Sequence, residues 1–166
     1  AFGVETLDDA AAKLGDILDM QPPEGIREKV KGLLKLKSVA DSRPRTVSRG
    51  ACQEVFLEGA DVDLTALPIQ RCWPGDPAAF ITLPAVITKD PRTGGRNVGM
   101  YRLQVLDERT TAMHWQIHKD GRADYLMTDG KLEVAVALGL DPVTAYTASA
   151  PLPKHVDELM LAGFLR

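Results

Sequence analysis

The sequence predicts an α+β fold: a closed or split antiparallel β-barrel, preceded by an N-terminal helical hairpin and flanked by C-terminal helices. Three observations carry this expectation. Apolar residues recur at helical spacing near the N-terminus, the period changes to that of strands from about residue 46, and the strand candidates are short and separated by turn signals. Short strands joined by hairpins close most readily as an antiparallel barrel.

Residues 6–20, TLDDAAAKLGDILDM, place Leu7, Ala10, Ala11, Leu14, Ile17 and Leu18 on one helical face, with Thr6 or Asp8 available as N-cap. Pro22 and Pro23 break this helix, and Ile26, Val30, Leu33 and Leu34 repeat the pattern in a second one. Lys29, Lys31, Lys35 and Lys37 form a basic stretch that reads as the solvated face of that second helix. Strand candidates follow at Gln53–Leu57, Phe80–Thr88, Val98–Leu106, Thr111–Ile117 and Glu133–Leu138. Gly59, Pro74-Gly75-Asp76, and Asp90-Pro91 with Thr93-Gly94-Gly95 punctuate them. A short helix is expected after Asp141-Pro142, then the turn Ala150-Pro151-Leu152-Pro153, then a helix from about Val156 to Leu165. Residues 1–40 thus read as a helical segment packing on the barrel, and 41–166 as the barrel domain.

The chain has 166 residues, 45% hydrophobic and 26% charged, with a net charge of -3. That is enough chain for one buried core, and the acidic balance argues against a general nucleic-acid binder. No apolar run reaches the roughly 18 residues of a membrane span and no signal pattern opens the chain, so a cytoplasmic location is expected. Cys52 and Cys72 are isolated and read as buried or incidental thiols. Ala1 in place of Met, and Arg166 directly after an apolar run, point to an excised piece of a longer protein.

The stretch from Asn97 to His118, NVGMYRLQVLDERTTAMHWQIH, reads as two antiparallel strands around the polar break Asp107-Glu108-Arg109. With the turn centred near Glu108, facing positions sum to about 216, which sets His118 opposite roughly residue 98 and brings an amide oxygen near an imidazole. Two such ligands are a weak metal signal by themselves. Arg102 lies five positions beyond Asn97, an odd spacing that sends the two side chains to opposite faces unless the strand is bulged, for which Gly99 is the obvious place. Its apolar neighbours Met100, Tyr101, Leu103 and Val105 set Arg102 in a cleft, where it suits either bidentate carboxylate binding or an internal ion pair. His114 falls almost opposite Arg102, and His155 follows the Pro-Leu-Pro turn; both default to structural or solvent roles. Between Asp157 and Glu158 spacing alone does not choose.

The runs FITLPAVITKDPRTGGRNVGMYRLQV and MHWQIHKDG, and the stretch from VAVALGLDP to APLP, closely resemble the UbiD-type decarboxylase family, whose members use prenylated FMN. Several blocks match in order over about residues 45–166, and the family's proteins are much longer. The resemblance implies a flavin-reductase-like split barrel and assigns an N-x-x-x-x-R element to Asn97, a metal ligand, and Arg102, a catalytic residue. It assigns the other two metal ligands to His118 and to Glu158, five residues beyond the second proline of Pro151-Leu152-Pro153. An Asn, His and Glu set suits Mn²⁺ or Mg²⁺ holding a cofactor phosphate. Thr82 matches a threonine of a strand lining the flavin, while Val98, Gly99, Met100 and Ile117 are implied as further cofactor contacts. Ser149 matches a serine near the phosphate and a monovalent cation such as K⁺, and Ala148 stands where some members have another serine.

The resemblance also implies reversible, non-oxidative decarboxylation of an aromatic or α,β-unsaturated acid, with this chain as the central cofactor-binding domain of the enzyme. Arg102 would orient the substrate carboxylate, the prenylated flavin would form the covalent adduct, and a Glu beyond residue 166 would return the proton. The piece alone is therefore expected to be inactive. The resemblance further implies a flavin prenyltransferase as cofactor supplier and a homo-oligomeric full-length protein. Two other readings stay open: a flavin-binding split-barrel module without decarboxylase chemistry, and an interaction module whose polar residues are all structural.

Overall fold

The computed structural model describes residues 3–18, 42–152 and 156–166. The chain divides into two compact units, one made of Ala1–Pro44 with Asp141–Arg166 and the other of Arg45–Leu140.

In the first unit, helix α1 spans Leu7–Leu18. Thr6 is its N-cap: the Thr6 hydroxyl accepts from the Asp9 N–H (3.1 Å) and the Asp9 carboxylate accepts from the Thr6 N–H (3.2 Å). Ala10 is buried as expected, whereas Leu7 and Ala11 of the expected apolar face are exposed, Leu7 to 83%. The second N-terminal helix and its lysines lie outside the described residues. Asp141 caps the helix Pro142–Thr147, accepting from the N–H groups of Val143 (3.1 Å) and Thr144 (3.2 Å), with Pro142 at the first helical position. A further helix, Glu158–Leu165, begins after Asp157, whose carboxylate accepts from the Leu159 N–H (2.8 Å). Val143, Leu161, Ala162 and Leu165 form the core of this unit. Gly163 lies against the Ser42 carbonyl, where any side chain would collide with backbone.

The second unit contains six short strands: β1 Phe80–Ile81, β2 Ala85–Lys89, β3 Arg96–Met100, β4 Leu103–Val105, β5 Thr111–Met113 and β6 Ala135–Ala137. They form two three-stranded antiparallel sheets, ordered β1-β4-β5 and β3-β2-β6. The α+β class is as expected, but no single closed sheet forms among the described residues. Two expected strands are each divided. Thr82-Leu83-Pro84 separates β1 from β2, since Pro84 has no N–H for a ladder, and Tyr101-Arg102 carries the chain from one sheet to the other. Gln53–Leu57 is not a strand either. A 3₁₀ turn, Ala51–Gln53, is followed by a bend at Glu54-Val55 and an irregular stretch in which Val55, Phe56 and Leu57 are exposed, with no partner ladder.

The register of β4 and β5 is the one expected, Leu103↔Met113, Gln104↔Ala112 and Val105↔Thr111, each summing to 216. The His114 N–H donates to the Arg102 carbonyl (3.1 Å), placing those two residues opposite each other. The hairpin does not extend to Asn97 and His118. β3 pairs instead with β2, Thr88 facing Asn97, because the Asp90–Gly95 turn closes a much shorter loop. The Asp90 carboxylate accepts from the N–H groups of Arg92 (2.7 Å) and Thr93 (3.3 Å), and Gly94 supplies the positive φ of 71°.

Ile81, Val86, Tyr101 and Leu103 form the core between the sheets, with Ile69, Val105, Met113 and Trp115 packed on it. Helix α2, Asp120–Leu126, packs on β2 and β3. The irregular segment before β1 is held by the Leu64 N–H donating to the Glu108 carbonyl (2.7 Å) and by Arg109 donating to the Ala60 carbonyl (3.1 Å). Among the described residues no helix is long and apolar enough to cross a membrane.

Candidate functional site

Arg102 is the second of the two residues that link β3 to β4, next to the buried Tyr101. Its Nη2 donates to the Asp76 carboxylate at 3.1 Å, and its guanidinium lies 3.8 Å from the centroid of the Phe80 ring. Asp76 ends the Trp73-Pro74-Gly75-Asp76 turn, in which the Asp76 N–H donates to the Trp73 carbonyl (3.0 Å) and the Asp76 carboxylate accepts from the Trp73 N–H (3.3 Å). The internal ion pair foreseen as one reading of Arg102 is thus present. Arg102 Nε is buried without an acceptor among the described residues, so one donor of the fork is unspent.

Asn97 is half-buried in the β2–β3 ladder, one pair in from its turn end. Its Nδ2 donates to Thr88 Oγ1 (3.1 Å), and Thr88 Oγ1 donates to the Asp124 carboxylate of α2 (2.6 Å). Thr88 and Asp124 are 1% and 6% exposed. Two residues on, Gly99 gives no bulge, because β3 keeps its register with β2 through Met100. What Gly99 provides is room. The Tyr101 ring covers it, and the Tyr101 hydroxyl accepts from the Gly121 N–H (3.3 Å) on α2. Burial pushes the Tyr101 phenol above its usual range, opposed by hydrogen bonds from Gly121 and Asn97. Trp115 meets Tyr101 edge-on at 6.4 Å between centroids and packs on Tyr125 at 5.4 Å.

His118 is exposed in the turn that leads from β5 into α2, two residues before Asp120, and Ile117 beside it is 71% exposed. Strand pairing does not set His118 against Asn97; both instead adjoin α2, Asn97 through Thr88 and Asp124, His118 through the chain. Among the described residues no hydrogen bond joins Asn97, Arg102 and His118 to one another. Val98 is 2% exposed, and Met100 is half-buried. Thr82 lies not in a strand but in the break between β1 and β2, exposed along an open groove of about 470 Å³ whose walls include Leu67, Ile69, Phe80, Ile81 and Leu138. That size and apolar lining suit a small organic ligand.

Ser149 and Glu158 belong to the other unit. Ser149 is exposed, and its hydroxyl donates to the Tyr146 carbonyl (2.8 Å). Asp157 is the N-cap and Glu158 the first helical residue. His155 lies outside the described residues. Cys52 and Cys72 are both exposed free thiols, which rules out burial, one of the two readings they were given. Among the described residues no three His, Cys, Asp or Glu side chains gather as a metal-binding group. Sequence reasoning did not find Asp76, Thr88 or Asp124. Asp76 was visible only as a turn residue, and the other two carry no spacing signal because their contact spans 36 positions.

Residues 45–166 match the family profile described as UbiD, 3-octaprenyl-4-hydroxybenzoate carboxy-lyase Rift-related domain. An uncharacterised protein of Aquifex aeolicus is 49% identical over 99% of this chain and 34% of its own length, so the chain spans about a third of the curated relatives it matches. The UbiD-class enzyme HmfF from Pelotomaculum thermopropionicum, solved in complex with FMN, aligns with a TM-score of 0.67 and 28% identity over 79% of this chain and 32% of that one. The vanillic acid decarboxylase of Sedimentibacter hydroxybenzoicus in its closed form shares the fold, with a TM-score of 0.72 and 24% identity over 93% of this chain and 34% of that one. With 45–166 matched by the profile and the fold shared with UbiD-class enzymes, the chain belongs to the UbiD family.

Proposed function

We propose that this chain is the cofactor-binding part of a decarboxylase that acts reversibly on an aromatic or α,β-unsaturated carboxylic acid with prenylated FMN. HmfF of Pelotomaculum thermopropionicum has been solved with FMN and, in an evolved dimeric form, with prenylated FMN, which supports a flavin here. The observation that carries the reading is Arg102. Its guanidinium is stacked on Phe80, already engages one carboxylate at 3.1 Å, and belongs to a side chain that stays 40% accessible. A substrate carboxylate can take the same fork.

The donor chemistry fits a divalent cation. Asn97 and His118 would supply an amide oxygen and an imidazole, and the resemblance adds the Glu158 carboxylate. Such a set suits Mn²⁺ or Mg²⁺ holding the flavin phosphate, with K⁺ beside Ser149. The exposed groove beside Thr82 offers apolar walls to a ring system. Bound prenylated FMN supplies the electron sink for cleavage of the bond to CO₂. Arg102 would hold the substrate carboxylate, and the face of the Phe80 ring keeps the planar guanidinium in place. A flavin prenyltransferase would provide the cofactor.

The test is turnover of the complete gene product, reconstituted with prenylated FMN and Mn²⁺, against a panel of aromatic and unsaturated acids. Arg102→Ala is expected to abolish decarboxylation while FMN affinity stays near wild type. Equal turnover by wild type and variant would overturn the role of Arg102. FMN binding without turnover of any acid would favour a non-catalytic flavin module.

A further inference from the structure

Asp124 is a buried carboxylate that the proposed chemistry does not use. It sits on α2, 6% exposed, and accepts from Thr88 Oγ1 at 2.6 Å; Thr88, 1% exposed, accepts in turn from Asn97 Nδ2 at 3.1 Å. With Asp124 ionised the direction of this chain is set: a carboxylate only accepts, so the single Thr88 proton goes to Asp124, and Thr88 has only lone pairs left for Asn97. Asn97 must then turn its NH₂ toward Thr88, which fixes where its Oδ1 lies. A hard cation takes the oxygen of an amide, never the nitrogen.

We propose that Asp124 and Thr88 are positioning residues that lock the Asn97 amide with its oxygen available to a divalent cation. This rests on the reading of Asn97 as a cation ligand. Helix α2 serves both proposed ligands of this unit. It holds the Asn97 orientation through Asp124, and it begins two residues after His118. Its second fastening, the Gly121 N–H to the Tyr101 hydroxyl, keeps the helix against β3. Asp124→Asn breaks the logic without changing size. An amide at 124 donates to Thr88, the Thr88 proton is then free to point at Asn97, and the Asn97 amide is free to turn its NH₂ to the cation.

The experiment titrates Mn²⁺ into the complete gene product saturated with FMN and follows the electron-spin-resonance signal of the free ion, for wild type, N97A, T88V, T88S and D124N. T88V and D124N are expected to weaken Mn²⁺ binding about tenfold or more, as loss of an outer partner of a metal ligand does, while T88S, which keeps the hydroxyl, binds close to wild type. FMN affinity without Mn²⁺ and the melting temperature report whether each variant is folded. Should D124N not fold, the T88V and T88S pair decides, since both fill a strand position with little change in size. Weakened binding in N97A with wild-type binding in T88V and D124N overturns the positioning role and leaves Asn97 a ligand. Wild-type binding in N97A overturns the ligand reading itself.

Discussion

The Tyr101 ring occupies the space that a side chain at Gly99 would need: a Cβ there would lie 2.5 Å from both Cε2 and the hydroxyl oxygen of Tyr101. The ring cannot swing away cheaply. Its hydroxyl accepts from the Gly121 N–H, a Cβ on Gly121 would itself come within 3.1 Å of that oxygen, and Trp115 closes the edge.

Gly99→Ala is therefore expected to destabilise the protein by roughly 1–3 kcal/mol, the usual range for overpacking a core. Urea denaturation followed by tryptophan fluorescence measures it. A variant as stable as wild type would show that the ring is not pinned.

Tyr101 also makes an alkaline prediction. Because burial raises its folded-state pKa above the unfolded value near 10, the native state holds this proton more tightly. Its contribution is fully present below about pH 10 and is lost as pH rises through the folded-state value. Tyr101→Phe removes that alkaline decline and, by leaving the Gly121 N–H without its acceptor, costs about 1 kcal/mol at neutral pH. Melting temperatures of the two proteins across pH 8 to 11 should converge at the upper end, to within about the error of two such curves.

At the other extreme of pH, the Thr144 hydroxyl, the Thr144 N–H and Arg166 hold the Asp141 carboxyl below the usual carboxylate range. A depressed folded-state value stabilises the fold above the unfolded value of 3.8 and ceases to do so as pH falls through the folded one. Asp141→Ala loses the cap of its helix and should cost about 1 kcal/mol at pH 7, with the difference from wild type shrinking in acid. Chemical denaturation at pH 7 and pH 3 checks both parts.

Asp76→Asn separates the structural and chemical duties of Arg102. The pair is partly exposed, with 40% of the Arg102 side chain and 15% of that of Asp76 accessible, so its loss should change stability by no more than about 1 kcal/mol. Arg102→Lys keeps the charge but not the planar fork, and turnover is expected to fall about 100-fold with FMN affinity retained. A lysine variant with wild-type turnover would show that charge alone suffices.

What the sequence made legible was local. The β4–β5 register follows from a polar break of a few residues, and the helix starts follow from Thr6 and Asp141, whose partners lie within three positions. Asn97 was read with the wrong partner because alternation does not say which neighbour a strand chooses. The Asp90–Gly95 turn is the shorter closure, and the chain passes to the other sheet at Tyr101-Arg102, so β4 and β5 pair away from Asn97. Val55, Phe56 and Leu57 looked like a strand for the same reason, composition without a ladder. The contacts that orient the candidate site, Asp76 with Arg102 and Thr88 with Asp124, join positions 26 and 36 apart, where no periodicity reaches.

The crossing at Tyr101-Arg102 makes this stretch intolerant of any change in length. Met100 is in register with Ala85 in one sheet and Leu103 with Met113 in the other, with only two residues between them. One residue inserted or deleted there would shift a whole ladder by one position and turn every side chain of that strand to the opposite face. The spacing from Asn97 to Arg102 is thus a ruler fixed by two sheets at once, free to vary in residue type but not in count.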